Sequence, residues 1–243
     1  MKIIAKTDKG RIRPTNQDAY TAGEMPDGAV WVAVCDGMGG ASGGDVASSL
    51  AVKLITERIN TLYRTGMSAP SVKSMLSSAI SKANIGVYDV ARANSELEGM
   101  GTTVVVAVII GTVVYIAHAG DSRGYLINPQ NGTIEQLTKD HSVVQQMIDD
   151  GKITEDDALS YPGRNIITRA LGVDEELQTD FCEHEFPEGS RLLLCTDGLT
   201  NCISDDEIKD VVLNSPEGET ADILVEKAIK YGGHDNITVV TVG

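Results

Sequence analysis

No stretch of this 243-residue chain reaches the roughly 18 consecutive apolar residues a membrane-crossing helix needs, so no span is expected. The opening, Met1-Lys-Ile-Ile-Ala-Lys6, carries an apolar run far too short for a secretory leader, and the cytoplasm is the expected compartment. Cysteine is scarce: Cys35, Cys182, Cys195 and Cys202 show neither the paired spacing of a zinc site nor the density of a disulfide scaffold. Cys35 and Cys195 sit in strand-like apolar runs, where a thiol behaves as a small buried hydrophobe. Six positions beyond the four cysteines stand Ala41, Glu188, Asn201 and Ile208, not the arginine that a covalent cysteine phosphatase requires. A Gly-x-x-x-x-Gly-Lys-Ser/Thr loop is missing too, which leaves a P-loop nucleotidase unsupported. Gly37-Met-Gly-Gly-Ala-Ser42 lacks the third glycine of the dinucleotide fingerprint, and Asp36 beside it would repel a pyrophosphate. Basic residues are few: 20 Lys and Arg against 35 Asp and Glu give a net charge of -15. That balance argues against nucleic-acid and anionic-membrane partners. It fits a soluble, self-repelling surface or carboxylates gathered to hold cations.

What the chain does have is core material. With 42% hydrophobic residues it can bury a large interior. No repeat, proline-rich linker or low-complexity tract divides it, so residues 1–243 are expected to form one domain. Apolar runs at 30–35 and 102–118 predict strands buried on both faces, with breaks at Gly111 and at Gly120-Asp121 and a hairpin turn at Asn131-Gly132. Apolar residues at helical spacing predict helices over 44–63 and 71–93. A strand near 190–196 follows, then a helix after Ser204 with a Ser-x-x-Glu capping box to Glu207. A helix near 219–230 and a final strand, Asn236-Ile-Thr-Val-Val-Thr-Val242, close the chain. Hairpin-linked strands with helices inserted in pairs indicate an α+β fold of stacked sheets with helices outside.

One device recurs. Apolar strands run into an aspartate beside a glycine at Asp36, Asp121 and Asp197, while Asp235 opens the last strand and Asp18 precedes a short one. A single Asp-Gly is ordinarily a turn. Three at strand ends predict carboxylates meeting in one cleft, where they raise one another's pKa unless cations neutralise them. Oxygen-only donors suit Mg²⁺ or Mn²⁺, and the glycines let backbone, including the Gly37 carbonyl, come close to an ion.

Seven segments taken in order carry a resemblance: Arg13-Pro-Thr-Asn-Gln-Asp18, Asp36-Gly-Met-Gly-Gly40, Gly101-Thr-Thr103, Ala119-Gly-Asp-Ser-Arg123, Asp140-His-Ser142, Thr196-Asp-Gly-Leu199 and His234-Asp-Asn-Ile-Thr238. Across its whole length the chain resembles the metal-dependent protein serine/threonine phosphatases of the 2C type in their compact bacterial form. The resemblance implies a four-layer α-β-β-α sandwich, two packed antiparallel sheets flanked by helices, with a metal site in the cleft between the sheets. It implies that Asp36 bridges two ions, that the Gly37 carbonyl binds one, and that Asp197 and Asp235 bind the other. By the same resemblance Asp121, with Asp197, holds a third and weaker ion, and Asp18 orients the attacking water. Gln17 and Asn236 support that shell, and Arg13 grips the substrate phosphate. The implied reaction is direct attack of a metal-bridging water or hydroxide on phosphoserine or phosphothreonine in proteins. A cognate Ser/Thr protein kinase is the implied counterpart, and a monomer is the default expectation.

The chain departs from many relatives at two positions. Met38 stands where many eukaryotic members have a histidine, which excludes an imidazole general acid there, and Gln17 replaces a glutamate. His118 is expected as a satisfied core residue and His184 at the surface. His141 is placed either as a helix cap or in the cleft, and His234 close enough to Asp235 to line it. Residues 141–170 are expected to form two short helical pieces matching the family's flap, with Arg164 near substrate. The competing class is a non-catalytic phosphoprotein-binding module of the same fold; loss of the metal acids would mark it, and all four are present.

Overall fold

The computed structural model describes residues 1–216 and 218–243. In chain order the strands are β1 (Ile3–Asp8), β2 (Asp18–Glu24), β3 (Val30–Met38), β4 (Gly101–Thr102), β5 (Val104–Ile110), β6 (Val113–Ala119), β7 (Arg123–Asn128), β8 (Thr133–Gln136), β9 (Asp180–Glu185), β10 (Arg191–Cys195) and β11 (Ile237–Val242). The helices are α1 (Gly40–Leu62), α2 (Ala69–Ala93), α3 (Val143–Asp149), α4 (Glu155–Leu159), α5 (Asp197–Thr200), α6 (Asp205–Asn214) and α7 (Thr220–Lys230). One sheet runs β1-β11-β10-β7-β8; the other runs β2-β3-β5-β6-β9, with β4 added at the end of β3. All pairings are antiparallel.

Alternation along the strands builds the layers. Val30, Val32 and Val34 of β3 face the second sheet and pack with Leu192, Leu194, Val240 and Val242. The intervening Trp31, Ala33 and Cys35 face α1 and α2, meeting Ile55, Ile59, Leu76 and Ile80. Leu193, Cys195 and Val239 of the other sheet face α6 and α7. Each sheet is therefore covered on both sides, which is why its strands read as continuous apolar runs. Each fully buried aliphatic side chain contributes about 1.5–3 kcal/mol, so three such cores hold the sandwich.

The expected elements form, with one shift. Helix α1 begins at Gly40, four residues before the predicted start, and takes in Gly43 and Gly44, which serve close packing instead of a turn. A Cβ on Gly44 would lie 2.7 Å from the Gly37 carbonyl, and one on Gly43 would lie 2.8 Å from Met100. The capping box at Ser204 and Glu207 is present in both directions.

Candidate metal centre and active site

Antiparallel register gathers the aspartates. Val34 of β3 pairs with Val105 of β5, and Val104 pairs with Ala119 of β6, so the end of β3 meets the start of β5 and the end of β6. In the other sheet Cys195 of β10 pairs with Val239 of β11, which sets Asp197 beside the residues that open β11. Asp36, Asp121, Asp197 and Asp235 consequently line one cleft of about 420 Å³, together with Arg13, Gln17, Gly37 and Thr103.

Threonine hydroxyls fix the acids. The Asp36 amide donates to Thr103 Oγ1 (2.9 Å), the Thr103 amide and Thr102 Oγ1 both donate to the Asp36 carbonyl (2.9 Å each), and Thr103 Oγ1 lies 2.7 Å from Ser122 Oγ. Thr103 thus ties the end of β3 to the Asp121 loop. Asp18 does not line the cleft; it lies behind it, paired in register with Asp36. Its Oδ2 accepts from Thr196 (2.9 Å) and Thr238 (2.7 Å), while Oδ1 is buried with no protein partner. Asn236 accepts the Gln17 amide and donates to the Lys9 and Thr15 carbonyls, stapling the 9–17 loop over the site. Thr102, Thr103, Thr196 and Thr238 have no predicted part, although each belongs to a motif around the acids; their hydroxyls serve Asp36 and Asp18.

Two glycines set the spacing. A Cβ on Gly37 would fall 2.0 Å from the Gly44 carbonyl oxygen, and one on Gly198 would fall 1.9 Å from the Asn236 carbonyl oxygen. Only glycine lets these backbones touch, and the second contact brings Asp197 against Asp235.

Burial and mutual repulsion dominate the electrostatics. Burial first, then the Asp18, Asp197, Asp121 and Asp235 charges, holds the Asp36 carboxyl well above the usual carboxylate range. Burial raises Asp18 to about 7 against the pull of its two threonine donors, and raises Asp121 to about 7 with help from Asp197. Asp197 rises to about 6 through burial and the Asp235 charge. Arg13 Nη2 donates to Asp235 Oδ2 at 2.7 Å, and that bond keeps the guanidinium pKa raised.

A hard divalent ion fits this donor set. The donors are all oxygen, the carboxylates repel without a cation, and the orphan Asp18 Oδ1 asks for water or an ion's hydration shell. A second titratable group lies apart from the cleft. His118, His141 and Asp180 bring ligand atoms within 4.8 Å of one another. The imidazoles are parallel to within 5° and stacked at 4.7 Å, so their in-plane lone pairs do not converge on one point. Arg169 Nη1 already lies 2.7 Å from Asp180 Oδ1 and 3.0 Å from His141 Nε2. Arg169 thus already occupies this group's polar atoms, and the oxygen-lined cleft is the better candidate for a hard ion.

Expectations for three histidines change here. His141 is neither cap nor cleft residue: Ser142 caps α3, and His141 Nδ1 accepts the Gly120 amide at 3.2 Å. Its ring supports the Asp121 loop from behind. His118 is buried but only half satisfied, with Nε2 on the Lys139 carbonyl and Nδ1 unpartnered. His234 is exposed and outside the cleft lining. From the 141–170 segment Asn165 and Ile167 line the cleft, and Arg164 is exposed next to Asn165 in the chain.

Comparison with known proteins agrees with the geometry. The protein phosphatase 2C family model matches residues 13–220. The serine/threonine phosphatase stp of Listeria welshimeri is 41% identical over 98% of this chain and 93% of its own. The crystal structure of the Mycobacterium tuberculosis serine/threonine phosphatase PstP/Ppp superposes with a TM-score of 0.89 at 34% identity, covering 99% of this chain and 97% of that one. A PstP catalytic domain in complex with two manganese ions gives a TM-score of 0.84 at 32% identity, over 99% and 96% of the two chains. Fold and cleft define a hydrolase that works with hard divalent cations. The chain belongs to the protein phosphatase 2C family.

Proposed function

We propose that this protein removes phosphate from phosphoserine and phosphothreonine side chains of other proteins. One observation carries the reading: four aspartates from separate strand ends share one cleft with Arg13 at its edge. The PstP domain holding two manganese ions supports Mn²⁺ or Mg²⁺ as the cofactor. Asp36, Asp197 and Asp235, with the Gly37 carbonyl, are the residues that would hold the two core ions, and Asp121 with Asp197 a third. Bound there, divalent cations supply Lewis acidity toward water and toward the phosphoryl oxygens.

The chain's own groups do the rest. Arg13 has a guanidinium half open to solvent at the cleft edge, and its planar fork suits two phosphoryl oxygens at once. Asp18 has Oδ2 held by the two threonine donors, and its unpartnered Oδ1 would accept a hydrogen bond from a water behind the cleft and fix that water's direction. Asn236 and Gln17 hold the loop carrying Arg13 in register with Asp235. Met38 lines the cleft with no proton to give, so no side chain at that position acts as general acid. A binding module without catalysis would have no need of all four acids.

We take residues 1–243 as one catalytic domain, acting as a monomer in the cytoplasm on substrates of a Ser/Thr protein kinase; the match to the Listeria phosphatase over 98% of this chain supports the single domain. No helix among the described residues is long and apolar enough to cross a membrane. Turnover of p-nitrophenyl phosphate and of phosphothreonine peptides, with and without EDTA, tests the reading. Full activity in chelator, or none with Mn²⁺ and Mg²⁺, rejects it.

A further inference from the structure

A groove lies at α2, apart from the cleft lining. It lies between α2 and the 172–179 segment, encloses about 550 Å³, and is lined by Ile85, Tyr88, Asp89, Glu175, Glu176 and Leu177 among others. Asp89, Glu175 and Glu176 are exposed acids, and no lysine or arginine lines this part. A neighbouring hollow of about 450 Å³ shares Tyr88 and adds Arg92 and Val173.

The wall of the groove is built, not incidental. Asn84 is 2% exposed, yet its side chain serves only the 172–175 backbone: Nδ2 donates to the Asp174 and Glu175 carbonyls (3.0 Å each) and Oδ1 accepts the Gly172 amide at 2.8 Å. A core amide held this way pre-shapes an exposed segment, which lowers the ordering cost of binding.

Apolar surface links groove to cleft. Large hydrophobic side chains are rarely exposed in this protein, but Ile85 is 47% and Val173 49% exposed. At buried Gly101 a Cβ would meet the Leu171 carbonyl oxygen at 2.8 Å, Met38 Cε at 2.9 Å and Val173 Cγ2 at 3.1 Å, so the Met38 and Val173 side chains are neighbours. Met38 lines the cleft, Val173 the hollow and Ile85 the groove, giving one path from the phosphate site to the acidic wall.

We propose that this path is a docking surface for the substrate polypeptide, taking apolar side chains over Val173 and Ile85 and lysines or arginines against Asp89, Glu175 and Glu176. The proposal rests on the phosphatase reading of the cleft and adds a substrate class to it: phosphoproteins with an apolar-basic segment on one side of the phosphorylated residue. Charge complementarity favours this occupant over a second copy of the chain, whose net charge of -15 opposes self-association at an acidic face.

The probes are a short phosphothreonine peptide and longer ones of about 16 residues, ~50 Å when extended. The long ones carry leucine and lysines on the N-terminal or C-terminal side, or glutamates in place of the lysines. The wild type is expected to favour one lysine-bearing peptide over the short one by about tenfold in kcat/KM, chiefly through KM. The preference should shrink between about 0.05 and about 0.5 M salt. The Glu175→Lys/Glu176→Lys double variant and, separately, Ile85→Ser should lose it while keeping p-nitrophenyl phosphate turnover within about twofold. Equal kcat/KM for long and short peptides, or a preference unchanged in both variants, overturns the proposal. So does a wild-type dimer in light scattering that the variants break, which would assign the groove to a second copy. Anisotropy of the labelled lysine-bearing peptide reads the groove independently of turnover: peptide binding without phosphatase activity would fail the cleft reading alone, and activity without the preference would fail the groove alone.

Discussion

Asp18 stands directly opposite Asp36 in the β2–β3 ladder, so two half-buried aspartates sit on one face of the sheet at adjacent strands. Packing alone would never select that pair. Replacing Asp18 by Asn keeps the shape and leaves an oxygen for the Thr196 and Thr238 donors, but removes one buried charge. Asp18→Asn is expected to raise the melting temperature in EDTA near pH 8, because burial of that charge is unfavourable. It is also expected to lower kcat by about 10–100-fold, the usual cost of disturbing a group that orients metal-site water. Calorimetric titration with Mn²⁺ should change less than kcat; a large loss of ion affinity would make Asp18 a direct ligand instead.

The raised carboxyls fix the sign of a pH effect. Asp18 and Asp121 titrate near about 7 and Asp197 near about 6 when folded. All lie above the ~4 of an unfolded aspartate. Their contribution is therefore fully favourable below about pH 4 and is lost as pH climbs through the folded values. In EDTA the melting temperature should fall between about pH 5 and about pH 8. Saturating Mn²⁺ should raise it most at the alkaline end, where protons no longer compete for the oxygens. Differential scanning calorimetry at both pH values checks this, and an ion-induced shift larger at the acid end would contradict it.

Gly198→Ala tests the contact that sets Asp197 against Asp235. The new methyl would meet the Asn236 carbonyl at 1.9 Å, backbone against backbone, so one of the two loops must move. Overpacking of this kind costs about 1–3 kcal/mol, measurable by urea unfolding. The larger effect should be on Mn²⁺ affinity, since the displaced loops carry two of the acids. Unchanged affinity alongside lost stability would show that their spacing tolerates the shift.

Much of this is legible in the sequence. Val30 to Cys35 reads as a doubly buried strand because both faces of the sheet are covered. The acids stood out because a carboxylate at the tip of an apolar strand has no packing role. Positions whose parts depend on distant partners were not legible. His141 gave no sign that its ring would accept the Gly120 amide 21 residues away, and Thr103 none that it would tie Asp36 to Ser122. The start of α1 is hidden for a similar reason: the run Gly39-Gly40-Ala41-Ser42-Gly43 resembles a loop locally, and the close approach of Met100 to Gly43 depends on a distant segment.

Arg13 separates binding from stability. Its side chain is 50% exposed and bonded to Asp235 Oδ2 at 2.7 Å. An ion pair that open to water contributes little to folding, so Arg13→Ala should leave the melting temperature nearly unchanged. Its effect should fall on phosphate instead. Charge-assisted hydrogen bonds are worth about 1.5–3 kcal/mol, which corresponds to roughly 10–150-fold in KM for p-nitrophenyl phosphate and in the inhibition constant of inorganic phosphate. Arg13→Lys keeps the charge but loses the two-pronged contact, and should recover only part of that loss. If kcat fell while both constants held, Arg13 would act on the transition state alone. If the lysine variant matched the wild type, charge and not the fork would be what the cleft edge supplies.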